Sequence, residues 1–299
     1  EVLKRSLDAR RKKQEPAWVF AVHVWTEDER EDWVAHRREV DARRKGETPT
    51  FQVQQAVPPK NRPIIVGFGP AGLFAALAFA DSGIPCTVLE RGFPLAERHH
   101  HVRDFRRKGT LHTESNLCFG EGGAGTYSDG KLYTRKKHPL VRAVYERLVA
   151  FGADPAILTD AHPHIGTNRL YAILQAMREH LMERGVEIRF QTQMKELLVH
   201  EGSAAGVRLT NGEEIVGGPV ILATGHSARE LYESLHSQGV TMTPKAFAIG
   251  ARCEHPQELI DTVQLGEIRQ KNGVEPAEYF LSCQLGSKGL YSFCMCPGG

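Results

Sequence analysis

RPIIVGFGPAGLFAALAFADSGIPCTVLERG, from Arg62 to Gly92, is the stretch from which the fold can be read. Ile64, Ile65 and Val66 make an apolar strand that runs into Gly67, Gly69 and Gly72. A helix-forming run rich in Ala, Leu and Phe follows, and Thr87, Val88 and Leu89 make a second strand that ends on Glu90. This order is that of a βαβ unit able to hold the ADP half of a dinucleotide. Each position has a physical task. Gly67 allows the tight turn out of the strand. Gly69 carries no Cβ to keep the backbone away from a pyrophosphate, and Pro70 and Ala71 open the helix beside it. Gly72 lets the helix pack closely on the strand. The helix start offers N–H groups and a positive dipole end to phosphates. Glu90 stands where a carboxylate accepts hydrogen bonds from ribose hydroxyls.

A bare GxGxxG is weak evidence, expected by chance about 0.3 times in a chain of this glycine content. The chain carries its own decoy. Gly120-Glu121-Gly122-Gly123-Ala124-Gly125 fits the same pattern, but no apolar strand precedes it and no βαβ unit surrounds it. Only the first match has the strand, the helix and the closing acid together.

Outward from this unit, composition sets limits. With 299 residues the chain can build two domains, and 41% hydrophobic with 25% charged residues is ordinary for a globular protein. A net charge of +2 argues against nucleic acid or an anionic membrane as the main partner. No apolar run is long enough to span a bilayer. The six cysteines (Cys86, Cys118, Cys253, Cys283, Cys294, Cys296) form no CxxC pair, so neither a redox dithiol nor a zinc knuckle is expected. Reduced thiols and a cytoplasmic location are the expectation, although the start at Glu1 rather than Met leaves targeting open.

Residues 1–58 read as the remainder of a small N-terminal α/β domain and its Pro-rich linker. Lys4 to Lys13 (KRSLDARRKK) reads as a basic helix end, Trp18 to Trp25 as a strand buried on both faces, and Glu27 to Lys45 as a charged helix. The dinucleotide domain is expected over 59–228, with a glycine-rich loop at 119–132. Arg98 to Lys108, with His99, His100 and His101, reads as a solvated basic helix face. Leu140–Ala150 and Leu170–Glu183 read as helices, the second with Leu170, Ile173, Leu174, Met177 and Leu181 on one stripe. Val186, Ile188 and Phe190 alternate as a strand. A β-meander with turns at Glu201-Gly202 and Asn211-Gly212 follows, then an apolar strand from Pro219 to Ala223. Residues 229–299 read as a partial substrate or cap domain.

The helix, the meander and a strand ending ILATG (Ile221–Gly225) resemble the glutathione-reductase type of FAD-binding fold, a Rossmann-like α/β architecture. Four blocks sharpen the resemblance: FGEGGAGTYSDGKL (Phe119–Leu132), PHIGTNRL (Pro163–Leu170), LATGHSAR (Leu222–Arg229) and YSFCMCPGG (Tyr291–Gly299). Together they resemble a family of FAD-dependent, or NAD(FAD)-utilising, dehydrogenases. The resemblance implies FAD as cofactor, with NAD(P)H as a transient electron donor. It places Gly67, Gly69 and Gly72 on the pyrophosphate, Glu90 on the ribose and Arg91 beside the adenosine. It places Gly122, Gly123, Ala124, Gly125, Thr126 and Ser128 along the pyrophosphate and flavin, the Met194 backbone at the adenine, and Thr224 and Gly225 on the floor of the ADP site. Such proteins also carry a Gly-Asp-Gly motif whose Asp holds the ribityl chain. None occurs before Gly299, so a fragment lacking parts at both ends is expected.

The function expected is an FAD-dependent oxidoreductase of unknown small-molecule substrate and unknown oligomeric state. The alternative is a protein that uses FAD structurally and docks a partner such as RNA through Arg10 to Lys13. No side chain stands out as catalytic. Cys294 and Cys296 read either as a thiol pair facing the flavin or as two small buried apolar residues. His162, His164, His226 and Lys131 are weaker candidates for the flavin side.

Overall fold

A computed structural model describes residues 2–8, 17–22, most of 59–292 and residue 295. The chain divides into two compact units, one of Asp28–Leu158 and His162–Thr243, the other of Glu1–Glu27, Thr159–Ala161 and Pro244–Gly299.

In the smaller unit, β1 (Val2–Asp8) pairs antiparallel with β2 (Ala17–Val22). The expected helix end at Lys4–Lys13 is therefore corrected over Lys4–Asp8. Those residues are strand because β2 supplies a ladder of backbone hydrogen bonds, which outweighs local helix propensity. The two-faced burial of the second strand is also corrected. Val19, Phe20 and Val22 are about half exposed, as expected of a two-stranded ribbon. The Arg10–Lys13 segment and the charged stretch from Glu27 to Lys45 lie outside the described residues.

The larger unit is a three-layer α/β sandwich built on four parallel strands. β3 (Ile64–Val66) leads into α1 (Pro70–Asp81) and returns as β4 (Thr87–Leu89). α2 (Leu95–Lys108) follows, then a 3-10 turn at Gly123–Tyr127 and α3 (Pro139–Ala150). α4 (Thr167–Glu183) feeds β5 (Glu187–Arg189). The antiparallel meander β6 (Met194–His200), β7 (Ser203–Leu209) and β8 (Glu214–Val216) precedes β9 (Val220–Leu222) and α5 (Arg229–Ser237). The parallel order is β5-β4-β3-β9, with Ile64 opposite both Thr87 and Val220. The two central strands are buried along their whole length, which is why they read as unbroken apolar runs.

Alternation along these strands builds two cores. Ile65 and Val88 face one layer, where Leu73 and Leu77 of α1 meet Ile173, Met177 and Leu181 of α4. Ile64, Val66 and Leu89 face the other, against Met194, Val207 and Leu209 of the meander and Leu231 and Leu235 of α5. α5 thus completes the sheet's second layer, although it lies beyond residue 228. Both meander turns form as read: Glu201 and Gly202 take φ of 50° and 75°, and Gly212 takes 91°.

The smaller unit also contains α6 (Gln257–Gln264) and the hairpin β10 (Ser282–Leu285) with β11 (Lys288–Tyr291). Asp261 ties it locally, accepting from Gln257 Nε2, the Ala277 N–H and Arg269 Nε at 2.7–2.8 Å. Among the described residues no helix is long and apolar enough to cross a membrane.

Candidate functional site

The carboxyl ends of β3, β4 and β9 carry the predicted residues and bring most of them together. Parallel strands leave their crevice at that edge, where ligands of open α/β sheets bind. Gly67 leaves β3 with φ +105°, and a Cβ there would lie 2.4 Å from Ala223 O and 3.3 Å from the Cα of Thr224. A Cβ on Gly72 would lie 1.9 Å from Gly67 O, so the helix can sit this close only with glycine at that position.

Gly69 differs from both. It is the N-cap of α1 at φ −79° and ψ −173°, a backbone any residue adopts. An added Cβ would meet only the Gly123 Cα, at an ordinary 3.6 Å. The fold itself does not need glycine there. No side chain caps this helix start, and Pro70 has no N–H to lose. The first-turn amides of Ala71 and Gly72 have no acceptor within the helix. These are the features a diphosphate requires.

The glycine-rich loop closes over this turn. Gly122 N–H donates to Phe68 O at 2.9 Å, and a Cβ on Gly123 would stand 2.9 Å from the Gly69 Cα. Gly123, Ala124, Gly125 and Thr126 lie in the 3-10 turn Gly123–Tyr127. The Thr126 side chain is buried and turned away: its hydroxyl donates to Glu121 O at 3.0 Å and accepts from Arg98 Nη1 at 3.1 Å. Ser128 Oγ donates to Gly125 O at 2.7 Å and accepts from the Gly130 N–H at 3.1 Å.

Glu90 sits at the centre. Only 5% of it is exposed, and its carboxylate accepts from the N–H groups of Phe68 (2.9 Å), Gly92 (2.8 Å) and Gly120 (2.9 Å). It locks the two loops to each other, a task the motif alone does not reveal. A carboxylate has about four acceptor positions. Oε1 takes two of these bonds and Oε2 one, which leaves Oε2 room for a ribose hydroxyl.

Arg91 Nε donates to Glu114 at 2.6 Å, its Nη1 pairs with Glu230, and its guanidinium lies 4.0 Å above the Phe119 ring. Two carboxylates already match its charge, so little attraction is left for a ribose 2′-phosphate. Met194 opens β6 and is buried against Ile64 and Leu89. Thr224 and Gly225 continue β9, and Gly225 O accepts from the Tyr232 hydroxyl. His226 is exposed just past them, and Lys131 is half-buried near the end of the loop. His162, His164, Cys294 and Cys296 lie outside the described residues.

Sequence reasoning missed the buried charges. Arg98 has no exposure, and its guanidinium donates to the carbonyls of Asn116, Gly120 and Glu121. The signal was present: Leu95, Arg98 and Val102 fall on one helical stripe, and all three are buried. Glu121 is equally buried. Its Oε2 accepts from the Leu95 N–H at 2.8 Å, at the start of α2, and from Arg178 of α4 at 2.7 Å. Burial pushes its carboxyl above the usual carboxylate range, although Leu95 and Arg178 oppose this. The solvated face expected for the histidines is corrected at His101. Its ring stacks on His112 at 4.3 Å and meets the Phe93 ring edge-on at 4.9 Å. Among the described residues no group of three or more His, Cys, Asp or Glu could hold a metal ion. Cys86, Cys118, Cys253 and Cys283 are free, and burial pushes the Cys86 thiol up to about 11.

Residues 246–299 match the family of FAD-dependent proteins described as C-terminal domain-like. An uncharacterised protein of Clostridium beijerinckii is 38% identical over the whole of this chain. The match covers 56% of that protein, so the chain spans about half the length of the curated relative it matches. Among solved structures, THI4 of Thermovibrio ammonificans is 16% identical, with 61% of this chain and 64% of that one covered at a TM-score of 0.40. Glycine oxidase of Bacillus cereus is 15% identical, with 59% and 58% covered at a TM-score of 0.40. The family match names FAD as the cofactor, and the glycine cradle has the close backbone approach that a dinucleotide's diphosphate needs.

Proposed function

We propose that this chain is the FAD-binding part of a flavin-dependent oxidoreductase acting on a small molecule. The observation that carries the reading is Gly69. It is a glycine that the fold does not require, at an uncapped helix start, facing a second glycine-rich turn. Gly67 and Gly72 shape the turn, and the Ala71 and Gly72 amides with the α1 dipole hold the diphosphate. Gly122 to Gly125 bring backbone against the same group, and Glu90 Oε2 takes a ribose hydroxyl. Bound FAD would supply hydride chemistry, while the protein supplies orientation and electrostatics. Because Glu114 and Glu230 engage Arg91, the site favours an adenosine without a 2′-phosphate. A nicotinamide donor would then act transiently, away from this cradle.

The test is the visible spectrum of the purified full-length protein, with the released cofactor identified after heat denaturation. Flavin bands and released FAD are expected. A colourless protein that FAD cannot reconstitute would refute the reading.

A further inference from the structure

Arg98 is the buried charge that the cofactor contacts above leave unexplained. Its side chain rises from α2 beneath the glycine-rich loop and has no exposure. Nε and Nη2 donate to Asn116 O at 3.0 and 2.9 Å. Nη1 donates to Glu121 O at 2.5 Å, Gly120 O at 3.3 Å and Thr126 Oγ1 at 3.1 Å. Among the described residues none of its hydrogen bonds goes to a carboxylate. The Tyr127 ring lies 5.0 Å from the guanidinium.

Burial disfavours the charged guanidinium. The Glu90 and Glu121 carboxylates attract it through space, but neither bonds it; its direct partners are carbonyls and a hydroxyl, which solvate a cation without carrying charge. If shaping the loop were the whole task, a neutral donor would suffice at lower cost. The loop has paid sterically for the arginine as well: Gly120 takes φ +113°, and a Cβ there would stand 2.4 Å from Arg98 Cδ. Gly120 is held from both sides. Its N–H is accepted by Glu90 at 2.9 Å, and its C=O receives Arg98 at 3.3 Å. The loop so held is the one whose Gly122 bonds Phe68 and whose Gly123 abuts Gly69.

We propose that Arg98 is a positioning residue for the cofactor's diphosphate. It holds residues 120–126 against the start of α1, and its water-shielded positive charge, only partly offset by Glu90 and Glu121, adds to the attraction that the loop offers a diphosphate. The inference rests on the FAD reading above and deepens it. Solvent screens a buried charge less than a surface lysine, so its effect persists at high salt. It also falls on the phosphates and not on the nucleoside.

That asymmetry gives the test. The full-length protein, stripped of FAD, is titrated calorimetrically with ADP and with adenosine, as wild type, Arg98→Met and Arg98→Lys. Thermal unfolding of each variant checks that it is folded. Arg98→Met is expected to weaken ADP about tenfold while adenosine stays within about twofold. Arg98→Lys keeps the charge but cannot bridge three carbonyls, and is expected to cost ADP about threefold. An unchanged ADP-to-adenosine ratio in the methionine variant overturns the proposal, and so does an equal loss of both ligands. If the methionine variant does not fold, the lysine variant decides by the same ratio. Wild-type protein that binds neither ligand would instead overturn the FAD reading itself.

Discussion

Two stretches of this chain read GxGxxG, at Gly67–Gly72 and at Gly120–Gly125, and they obtain their shape by opposite means. The first is shaped by backbone packing. Gly67 and Gly72 are demanded by carbonyls 2.4 and 1.9 Å from where a Cβ would stand, on a strand and a helix already fixed by the sheet. The second has no strand before it, and buried charge shapes it instead. Glu90 accepts the Gly120 N–H, Arg98 gathers the carbonyls of residues 116, 120 and 121, and Glu121 joins α2 to α4. A glycine pattern by itself therefore does not say what holds it. At Gly67 and Gly72 the first motif tolerates no intrusion, because the backbone facing them cannot move aside. The second depends on ionised groups that can be changed one at a time.

Substitutions can break this contrast. The largest effect is expected at Gly72→Ala, where the new methyl meets a main-chain oxygen. A loss of roughly 3 kcal/mol or more in chemical denaturation is expected, and an unchanged midpoint would disprove backbone control of the first motif. Gly120→Ala adds a methyl against a side chain and at a left-handed φ, so about 2 kcal/mol is expected. Part of that loss should vanish when Arg98→Met is added, a coupling that a double-mutant cycle measures. Simple additivity of the two would separate Arg98 from the shape of the loop.

A smaller effect is expected from pH. Burial, followed by the neighbouring His112, pushes His101 below the ordinary imidazole value, with Glu97 and Asp104 opposing. A group depressed in the fold contributes stability above its unfolded value, about 6.5, that is lost as pH falls toward the folded value. The melting temperature should therefore drop more between pH 7 and pH 5 in wild type than in His101→Phe, and equal drops would remove His101 from the account. The smallest effect on stability is expected at Gly69→Ala. The methyl has room, so stability should stay within about 0.5 kcal/mol, while FAD binding weakens about tenfold or more. A Gly69→Ala variant that keeps full FAD affinity would remove the external reason for that glycine.

Much of the fold was legible because its signals are local. The central strands are continuous apolar runs, the stripe from Ile173 to Leu181 has helical period, and the meander turns carry glycine. The N-terminal segment misled because Lys4 to Asp8 are mostly polar residues whose state depends on partners in another strand, from Ala21 opposite Lys4 to Ala17 opposite Asp8. Of the candidate site, the glycines and Glu90 could be named from the motif. The inward turn of the Thr126 hydroxyl and the neutralisation of Arg91 could not. Both depend on groups brought from elsewhere in the chain, Arg98 in one case, Glu114 and Glu230 in the other.

The sequence alone determined the βαβ unit, the order of its strands and the kind of ligand it can hold. Glycine spacing, apolar runs and a closing acid act over a few residues. Only the tertiary structure decided which charges are buried and what they hold. Burial of Arg98 and Glu121 is a property of the surroundings, and the same letters on a solvated helix would carry no such meaning.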